Sequence, residues 1–302
     1  MKVVFFGHNG WIGSQIVKEW KRQHPEDELI LSTIRVEEQY KAELEREVKS
    51  ADRVVCTIGR TSGVVDGVLI NNIDYLETHL ELNLRDNLYG PLLLALICSR
   101  YNIHLTYLGT GCIFSRNTRD NDYLYTEEDE PDFFGSAYST VKGKTDSLMK
   151  MLPNVLNLRI RMPITADWNS KNFLTKIIGF KKICSYPNSM TYLPNFVPII
   201  VAMTKIKTKG TFNMVNPGEI DHNKILEKVK QRDSIHSFEL IEEKDLSGIL
   251  KAKRSNNLLA TGKLEQWCRE FGCRVRPIEE CIDESVDKMY SDNYLSNSLA
   301  TR

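Results

Sequence analysis

The sequence has no excess charge of either sign and no apolar run long enough to cross a bilayer. Lys plus Arg and Asp plus Glu both number 40, so no overall basic field points to nucleic acid or to an anionic membrane surface. The longest apolar run covers residues 92–98, whereas a membrane-spanning helix needs about 20 residues. We therefore expect neither a nucleic-acid partner nor a membrane partner.

The spacings typical of metal and disulfide chemistry are missing too. The cysteines are odd in number, scattered and without a CxxC pair, and they stand at positions 56, 98, 112, 184, 268, 273 and 281. This pattern predicts neither a metal site nor a disulfide framework. Its simplest interpretation is a reducing, cytoplasmic compartment.

Internal repeats and low-complexity segments are also absent, and strand and helix patterns alternate instead. The 302 residues are enough for one large or two modest domains. Strands are predicted at 2–6, 28–32, 53–58, 103–108 and 155–160, and helices at 14–22, 36–48, 76–101 and 137–151. Such alternation is typical of an α/β fold with a Rossmann-type, doubly wound parallel sheet.

Three glycines with GxxGxxG spacing follow the first strand pattern and precede a helix-like run. Glycines there permit a tight turn and a close approach of backbone to a pyrophosphate, and the helix N-terminus offers free N–H groups. A plain glycine-rich turn is the alternative. The residues expected to bind a dinucleotide are Gly7, Asn9, Gly10, Trp11, Ile12 and Gly13. Trp11 has two open interpretations, stacking on the cofactor or packing in the core.

The end of the second strand pattern bears on which dinucleotide is bound. An acidic residue there would bind the ribose hydroxyls of NAD and repel a 2′-phosphate. The strand instead ends near Ser32 and Arg35, with no carboxylate at the tip. We therefore predict NADPH/NADP as the cofactor, with Ser32 and Arg35 at its 2′-phosphate; a solvated Arg35 is the alternative.

After Arg161 the alternation loosens, and proline and asparagine become frequent. We predict an NADP-binding Rossmann domain at 1–160. A smaller, mixed substrate-binding region is predicted at 161–302, with some elements returning to the first domain. The last dozen residues, 291–302, are expected to form a frayed tail.

A tyrosine and a lysine are spaced to share one helix face. Tyr138 and Lys142 are four residues apart, so phenol and ammonium can point into one site, where a cation would lower the pKa of the phenol. Thr110 ends a predicted strand upstream, where its hydroxyl can hydrogen-bond a substrate carbonyl. A surface helix pair is the alternative for Tyr138 and Lys142 alone.

Together these residues resemble the extended short-chain dehydrogenase/reductase superfamily, and longer segments are similar to its nucleotide-rhamnose synthase/epimerase-reductases. The similar segments are 10–13, 110–114, 135–139, 159–164, 172–177, 187–191, 216–218 and 254–257. That family converts UDP-4-keto-6-deoxy-D-glucose to UDP-L-rhamnose by epimerising C3 and C5 and reducing C4 with NADPH. The resemblance therefore implies a bifunctional 3,5-epimerase/4-reductase with a nucleotide-sugar substrate.

The resemblance implies two further catalytic residues, Cys112 and Lys176. Epimerisation beside a C4 ketone needs a base on one face of the sugar and an acid on the other, because the carbanion is delocalised as an enolate. Thiols titrate near roughly 8.5, within reach of neutral pH when cations are close. Without the resemblance, Cys112 is also interpretable as a buried small hydrophobe and Lys176 as an ordinary helix lysine.

The resemblance also implies substrate contacts, at Asn87, Asn188, Ser189, Thr191 and Arg254. Asn87 matches the helix asparagine that supports the catalytic lysine through water in short-chain dehydrogenases, and a solvent-facing asparagine is the alternative. Arg254 suits a pyrophosphate, since a planar guanidinium makes bidentate phosphate contacts; a solvated basic surface is the alternative.

Two other functions stay open. Related 4-keto-rhamnose reductases share the fold but typically carry an aromatic residue where this chain has Cys112, which favours bifunctionality. A regulatory subunit of methionine adenosyltransferase resembles these reductases and works as a binding partner, but the intact Thr–Tyr–Lys set argues against lost chemistry. The choice between UDP and dTDP is left open. The superfamily resemblance implies a homodimer through the helices at 76–101 and 137–151.

Overall fold

The computed structural model describes residues 1–116, 123–246 and 248–291. Except for Ser291, the tail predicted at 291–302 lies outside the described residues. The strands are β1 (Lys2–Phe6), β2 (Glu28–Leu31), β3 (Arg53–Cys56), β4 (Gly63–Val65), β5 (Val68–Ile70), β6 (His104–Thr110), β7 (Leu124–Tyr125), β8 (Val155–Ile160), β9 (Lys182–Ile183), β10 (Gly210–Asn213), β11 (Glu239–Leu240) and β12 (Leu258–Leu259).

The helices alternate with these strands along the first half of the chain and predominate in the second. They are α1 (Trp11–Gln23), α2 (Lys41–Lys49), α3 (Asp74–Glu77), α4 (Leu80–Leu84), α5 (Gly90–Arg100), α6 (Ala137–Lys150), α7 (Phe173–Ile178), α8 (Leu193–Lys205), α9 (His222–Lys230), α10 (Glu243–Leu246), α11 (Gly262–Glu270) and α12 (Ile278–Met289). A short 3₁₀ turn at Glu38–Tyr40 and a π-helical turn at Arg85–Tyr89 complete the regular structure of the described residues.

The main sheet has six parallel strands in the order β2-β1-β3-β6-β8-β10. The predicted doubly wound α/β fold is confirmed. Strand order reverses between β1 and β3, and in such sheets ligands bind outside the carboxyl ends of the strands at this reversal. β6 runs to Thr110, so the predicted strand-end threonine stands at that edge.

Both faces of the sheet are buried because successive side chains of a strand point to opposite faces. Val3 and Phe5 of β1 pack against α1, α8 and α11. Val4 and Phe6, the alternate residues, pack against α2, α5 and α6. The apolar run that begins the chain is therefore a central strand covered by helices on two sides.

The helix predicted at 76–101 is not continuous, and Pro91 explains part of the interruption. Proline has no N–H to donate to the carbonyl of Asn87, four residues earlier. The hydroxyl of Thr145 on α6 donates to that carbonyl instead (2.7 Å), and Gly90 N–H bonds five residues back to Arg85. The α4–α5 segment is thereby tied to α6 through a π-helical turn.

Elements after residue 161 divide between two places. α8, β10 and α11 cover and extend the main sheet, whereas α7, α9 and α12 surround a separate apolar cluster that includes Leu174, Ile225 and Ile282. The functional division at residue 160 stays a prediction. In the described part of the chain, no helix combines the length and apolarity that crossing a membrane requires.

Candidate active site

A cleft of about 2020 Å³ lies at the carboxyl ends of the strands. Its walls include the glycine loop after β1, the end of β6, the start of α6, α7 and the segment 249–256. The cleft therefore lies over the strand-order reversal and joins the two regions that the sequence predicts to bind cofactor and substrate.

The glycine loop forms a cradle with no room for side chains. Gly7 has φ +85°, and a Cβ on Gly13 would lie 2.3 Å from the Gly7 carbonyl oxygen and 2.7 Å from Thr57 Oγ1. Among the described residues, no side chain caps the N-terminus of α1 at Gly10, so its first N–H groups are free to bind an anion. The cradle fits the pyrophosphate of a dinucleotide.

The other residues of the loop take different positions. Trp11 and Ile12 line the cleft and are partly buried against the core of one sheet face, so Trp11 does pack. Asn9 is exposed and is not among the residues that line the cleft. Its contact with a cofactor stays a prediction.

The two residues predicted to bind a 2′-phosphate are placed differently. Arg35 lines the cleft with its side chain 73% exposed and Nη1 3.7 Å from Glu37 Oε1; Arg85 Nη1 lies 3.9 Å from the same oxygen. Ser32 is buried outside the cleft, and its hydroxyl accepts a hydrogen bond from Ile34 N (3.3 Å). Glu37 also lines the cleft. The sequence does not predict this, because Glu37 lies beyond the end of the second strand pattern.

Thr110, Cys112 and Tyr138 come together in the cleft. The Thr110 hydroxyl accepts a hydrogen bond from Cys112 N (3.1 Å) and donates to Ile160 O (3.3 Å). Burial raises the pKa of Tyr138; a negative charge on Cys112 adds to this shift, and a hydrogen bond with Thr110 opposes it. At neutral pH the Tyr138 phenol is therefore a protonated donor beside the Cys112 thiol.

Lys142 lies near this group, but its ammonium has another partner. It donates a hydrogen bond to the Tyr107 hydroxyl on β6 and lies 4.7 Å from the centre of that ring. Burial lowers the pKa of Lys142 to about 8. We expected Lys142 to lower the pKa of Tyr138, and this is not seen, because burial of the phenol prevails and the ammonium is bound to Tyr107.

Lys176 lies in the same cleft, on α7. Its Nζ donates a hydrogen bond to the carbonyl oxygen of Asn71 (3.0 Å). Burial lowers the pKa of Lys176 to about 8, and the charges of Lys171 and Arg254 lower it further. An amine with this pKa exchanges protons readily near neutral pH. The structure thus brings both predicted epimerisation residues, Cys112 and Lys176, to one cavity.

Asn87 lines the cleft but is buried in the π-helical turn. Its side-chain carbonyl accepts a hydrogen bond from Arg60 N, and its amide donates to Arg60 O and to Asn83 Oδ1 (all 2.9 Å). The solvent-facing alternative is wrong. The side chain ties the loop after β3 to the helix, and its contact with substrate stays a prediction.

Asn188, Ser189 and Thr191 are buried behind the cleft, outside its lining residues. Asn188 Oδ1 and Ser189 O accept hydrogen bonds from the guanidinium of Arg161. Thr191 Oγ1 accepts one from Arg161 N (2.9 Å) and donates to Met214 O (2.6 Å). Their polar atoms thus hold Arg161 in place, and their contact with substrate stays a prediction.

Arg254 lines the cleft near Lys176. Its guanidinium donates to Ala252 O (2.6 Å) and to Asp74 Oδ1 (3.0 Å). The side chain is held in place rather than freely solvated, with a fork that can bind a pyrophosphate.

Three residues with clear structural roles were missed: Tyr107, Asn71 and Arg161. Tyr107 binds Lys142, Asn71 binds Lys176, and Arg161 binds the segments at 111, 189 and 255. In each case the two partners are more than 25 positions apart in the sequence. Local spacing holds no signal for such contacts.

Comparison with known proteins identifies relatives of this chain. It is 45% identical to the UDP-rhamnose synthase L780 of Acanthamoeba polyphaga mimivirus, with a TM-score of 0.87 over 96% of this chain and 99% of that crystal structure. By sequence alone, L780 is 47% identical over 298 residues. No protein-family model matches the chain.

Two more distant proteins share parts of this description. A trifunctional UDP-glucose 4,6-dehydratase/UDP-4-keto-6-deoxy-D-glucose 3,5-epimerase/UDP-4-keto-L-rhamnose-reductase of Arabidopsis thaliana is 34% identical over 88% of this chain, which spans 39% of the plant protein. The dTDP-4-dehydrorhamnose reductase of Bacillus anthracis, solved with NADP, is 16% identical, with a TM-score of 0.73 over 95% of this chain and 97% of that one, and shares the fold alone. The chain belongs to the UDP-rhamnose synthase family of nucleotide-sugar epimerase/reductases, which has the extended short-chain dehydrogenase/reductase fold.

Proposed function

We propose that this protein converts UDP-4-keto-6-deoxy-D-glucose to UDP-L-rhamnose, epimerising C3 and C5 and then reducing C4 with NADPH. The observation that carries the proposal is that Cys112, Tyr138 and Lys176 line one cleft together with the glycine cradle. Epimerisation needs an acid and a base beside the sugar, and reduction needs a proton donor beside a nicotinamide. One cavity supplies all of these.

In the epimerase half, the Cys112 thiolate removes the proton from C3 or C5, and the electrons of the C–H bond move onto the C4 oxygen as an enolate. The Lys176 ammonium then gives a proton to the opposite face of the same carbon. Thr110 and Tyr138 donate hydrogen bonds to the enolate oxygen. The thiol and the amine return to their starting states by exchange with solvent.

In the reductase half, Tyr138 gives its proton to the C4 oxygen. NADPH, when bound, supplies the hydride that C4 receives. The raised pKa of Tyr138 keeps the phenol protonated until the carbonyl oxygen becomes basic. Lys142 holds the nicotinamide ribose, and Thr110 holds the carbonyl.

NADPH is favoured over NADH by the position of Arg35 on the cleft wall, and the distant Bacillus reductase was solved with NADP. Arg254 is proposed to hold the sugar-nucleotide pyrophosphate, with Lys171 and Lys176 nearby. A homodimer and a cytoplasmic location remain predictions.

The two halves are separable by experiment. Incubating the 4-keto substrate in D₂O without NADPH isolates epimerisation, and supplying pre-epimerised UDP-4-keto-rhamnose with NADPH isolates reduction. We expect Cys112→Ser to stop deuterium entry at C3 and C5 and still to reduce the pre-epimerised substrate. Tyr138→Phe should slow reduction by about 10²-fold or more, since it removes the general acid, and should still incorporate deuterium, at a reduced rate because one donor to the enolate oxygen is lost.

The alternatives give different results. A reductase acting alone would reduce pre-epimerised substrate and incorporate no deuterium at any enzyme concentration. A non-catalytic regulator would bind NADP and do neither. Normal deuterium exchange by Cys112→Ser would assign the base to another residue, and unchanged reduction by Tyr138→Phe would contradict the assigned acid.

A further inference from the structure

The hairpin of β4 and β5 lies between β3 and α3 and buries little apolar surface of its own. Its two strands are antiparallel and turn at Asp66 and Gly67, whose φ values of 49° and 79° suit the two-residue turn of a hairpin. Val64, Val68 and Leu69 are 60%, 66% and 55% exposed. Because a lone two-stranded hairpin is marginally stable in water, contacts with other elements must hold this one.

One of these contacts is at the base of the hairpin. Gly63, the first residue of β4, lies against the ring of Tyr75 on α3, and a Cβ on Gly63 would be 2.2 Å from Tyr75 Cζ. Tyr75 is buried, and its ring stacks on His79 with the two centroids 4.0 Å apart. This contact fixes the start of the hairpin and leaves the end of β5 to be fixed by other residues.

Asn71, directly after β5, ties the hairpin to the loop before α7. Its side-chain amide donates a hydrogen bond to Ser170 O (2.8 Å), and its Oδ1 accepts one from Lys171 Nζ (3.4 Å). Lys171 Nζ also donates to Ser62 Oγ, just before β4 (2.9 Å). These partners are about 100 positions apart in the sequence. We call these three hydrogen bonds the hairpin lock.

The backbone of Asn71 also holds Lys176. The Lys176 ammonium donates a hydrogen bond to the Asn71 carbonyl oxygen (3.0 Å). Lysine carries its charge on a flexible four-carbon stem, so a partner at the tip decides where Nζ lies. A carbonyl oxygen orients an ammonium and leaves it protonated near neutral pH. Lys176 lines the cleft and Asn71 is not among its lining residues, so Asn71 acts on the cleft through Lys176.

We propose that Asn71 positions the acid of epimerisation: the hairpin lock fixes the Asn71 carbonyl oxygen, and this oxygen keeps the Lys176 ammonium on the face of the sugar opposite Cys112. Asn71 is a positioning residue, since it reaches the reacting carbon only through Lys176. The role rests on the proposed epimerase function of Lys176, but the environment of this amine is measurable without any substrate.

Deuterium entry at C3 and C5 without NADPH tests this role in the reaction. Asn71→Ala removes the two side-chain bonds of the lock, with Ser170 and Lys171, and lets the carbonyl oxygen move with the hairpin. We expect exchange to slow by roughly ten- to a hundred-fold, because a displaced acid loses its approach geometry. The loss should fall on the maximal exchange rate, with the KM for the sugar nucleotide little changed. Reduction of pre-epimerised substrate by NADPH should be unchanged.

Trace acetylation by acetic anhydride reads the Lys176 amine without substrate. Acetylated Lys176 appears in the tryptic peptide 172–181, because trypsin cleaves after Lys171 and Lys181 and not after an acetylated lysine. Burial lowers the pKa of Lys176 to about 8, and the charges of Lys171 and Arg254 lower it further. Both cations remain in Asn71→Ala, but water reaches the amine once the hairpin moves. The pH of half-maximal acetylation should therefore rise toward that of an ordinary lysine, and the pH at which deuterium entry declines should rise with it.

Val68→Thr is the matched control, since it alters an exposed side chain of the same hairpin with little change of shape and should change neither exchange nor acetylation. Equal slowing of exchange and reduction by Asn71→Ala would mean a general structural role and overturn the proposal. Unchanged exchange or an unshifted acetylation midpoint would overturn it too. Absence of deuterium exchange by the unmodified protein would instead refute the proposed epimerase function, and acetylation would still show whether the lock holds the amine.

Discussion

At the scale of single residues, burial acts in opposite directions on the acids and bases of the cleft. It raises the pKa of the Tyr138 phenol and lowers that of both Lys142 and Lys176 to about 8, because it disfavours the charged form of each group. Near neutral pH the phenol is fully protonated and the two amines are mostly charged. The proton donors of the site are therefore protonated before the reaction begins.

The first prediction concerns Lys176 and pH. If the ammonium gives the proton, deuterium entry at C3 and C5 should fall as pH rises through about 8, where Lys176 loses its charge. Measurement of exchange without NADPH between pH 6 and 10 tests this. Lys176→Met should reduce exchange by about 10²-fold or more while pre-epimerised substrate is still reduced. Unchanged exchange by Lys176→Met would contradict the assignment of Lys176 as the acid.

A second prediction separates the two residues expected at the 2′-phosphate. Arg35→Ala should weaken NADPH binding by roughly tenfold, the size of one lost charge-assisted contact at an exposed site, and leave NADH binding unchanged. Ser32→Ala should change neither affinity, since Ser32 lies outside the cleft. Equal affinities for the two cofactors in the unmodified protein would contradict the assignment.

At the scale of elements, backbone geometry limits which residues the phosphate loop accepts. A Cβ at Gly13 would meet the Gly7 carbonyl oxygen at 2.3 Å, and a backbone atom cannot move aside as a flexible side chain can. The start of α1 is thus pressed against the end of β1. That contact sets the position of the helix N-terminus over the cleft.

The third prediction follows from this contact. Gly13→Ala should push α1 away from β1, weaken NADPH binding by an order of magnitude or more and lower the melting temperature. Gly262→Ala is the control, because the same added Cβ at the start of α11 meets nothing within 4 Å, and the change should be neutral or slightly stabilising. Fluorescence titration and thermal melts measure both effects. Unaltered NADPH binding by Gly13→Ala would show that the loop tolerates a side chain.

At the scale of the whole molecule, apolar side chains remain exposed on the helices that the superfamily resemblance assigns to a dimer interface. Leu80 and Leu84 of α4 are 52% and 41% exposed, and Leu96 of α5 is 52% exposed. Large apolar side chains exposed on such helices favour association with another protein surface.

The fourth prediction is that the protein is a homodimer through this helical face. Light scattering coupled to size exclusion should give twice the chain mass, and Leu96→Glu should give the monomer mass. Ile235, which is 88% exposed beyond α9, supplies the control, and Ile235→Glu should leave the dimer intact. A monomer in the unmodified protein would refute the interface.

The sheet was predictable from the sequence because its signals are local. The apolar run before Gly7 fixes β1, and the strand patterns around Arg53 and Val155 fall where β3 and β8 begin. The break at Pro91 was in principle readable from the missing N–H, yet the long apolar helix pattern masked it. Cys112 and Lys176 were paired through family resemblance and could not have been paired by spacing.

The sequence could not predict the hydrogen-bond partner of each charged group. Lys142 binds Tyr107 instead of acting on Tyr138, and the Asn188 segment supports Arg161 instead of lining the cleft. Such partners are chosen by the packing of distant segments. They follow from three-dimensional contacts, which no local pattern encodes.

The sixth strand of the sheet has a consequence for dissecting the protein. β10 pairs with β8 at the sheet edge, but the chain reaches β10 only after the excursion from 161 to 209 that builds much of the opposite wall. A fragment ending at residue 160 would expose the unpaired edge of β8 and the apolar surface that α8 and α11 cover. An exposed strand edge of this kind promotes aggregation. The two halves of the cleft are therefore not modules. The two halves should unfold in one cooperative transition, and a proteolytic cut between them should destabilise both.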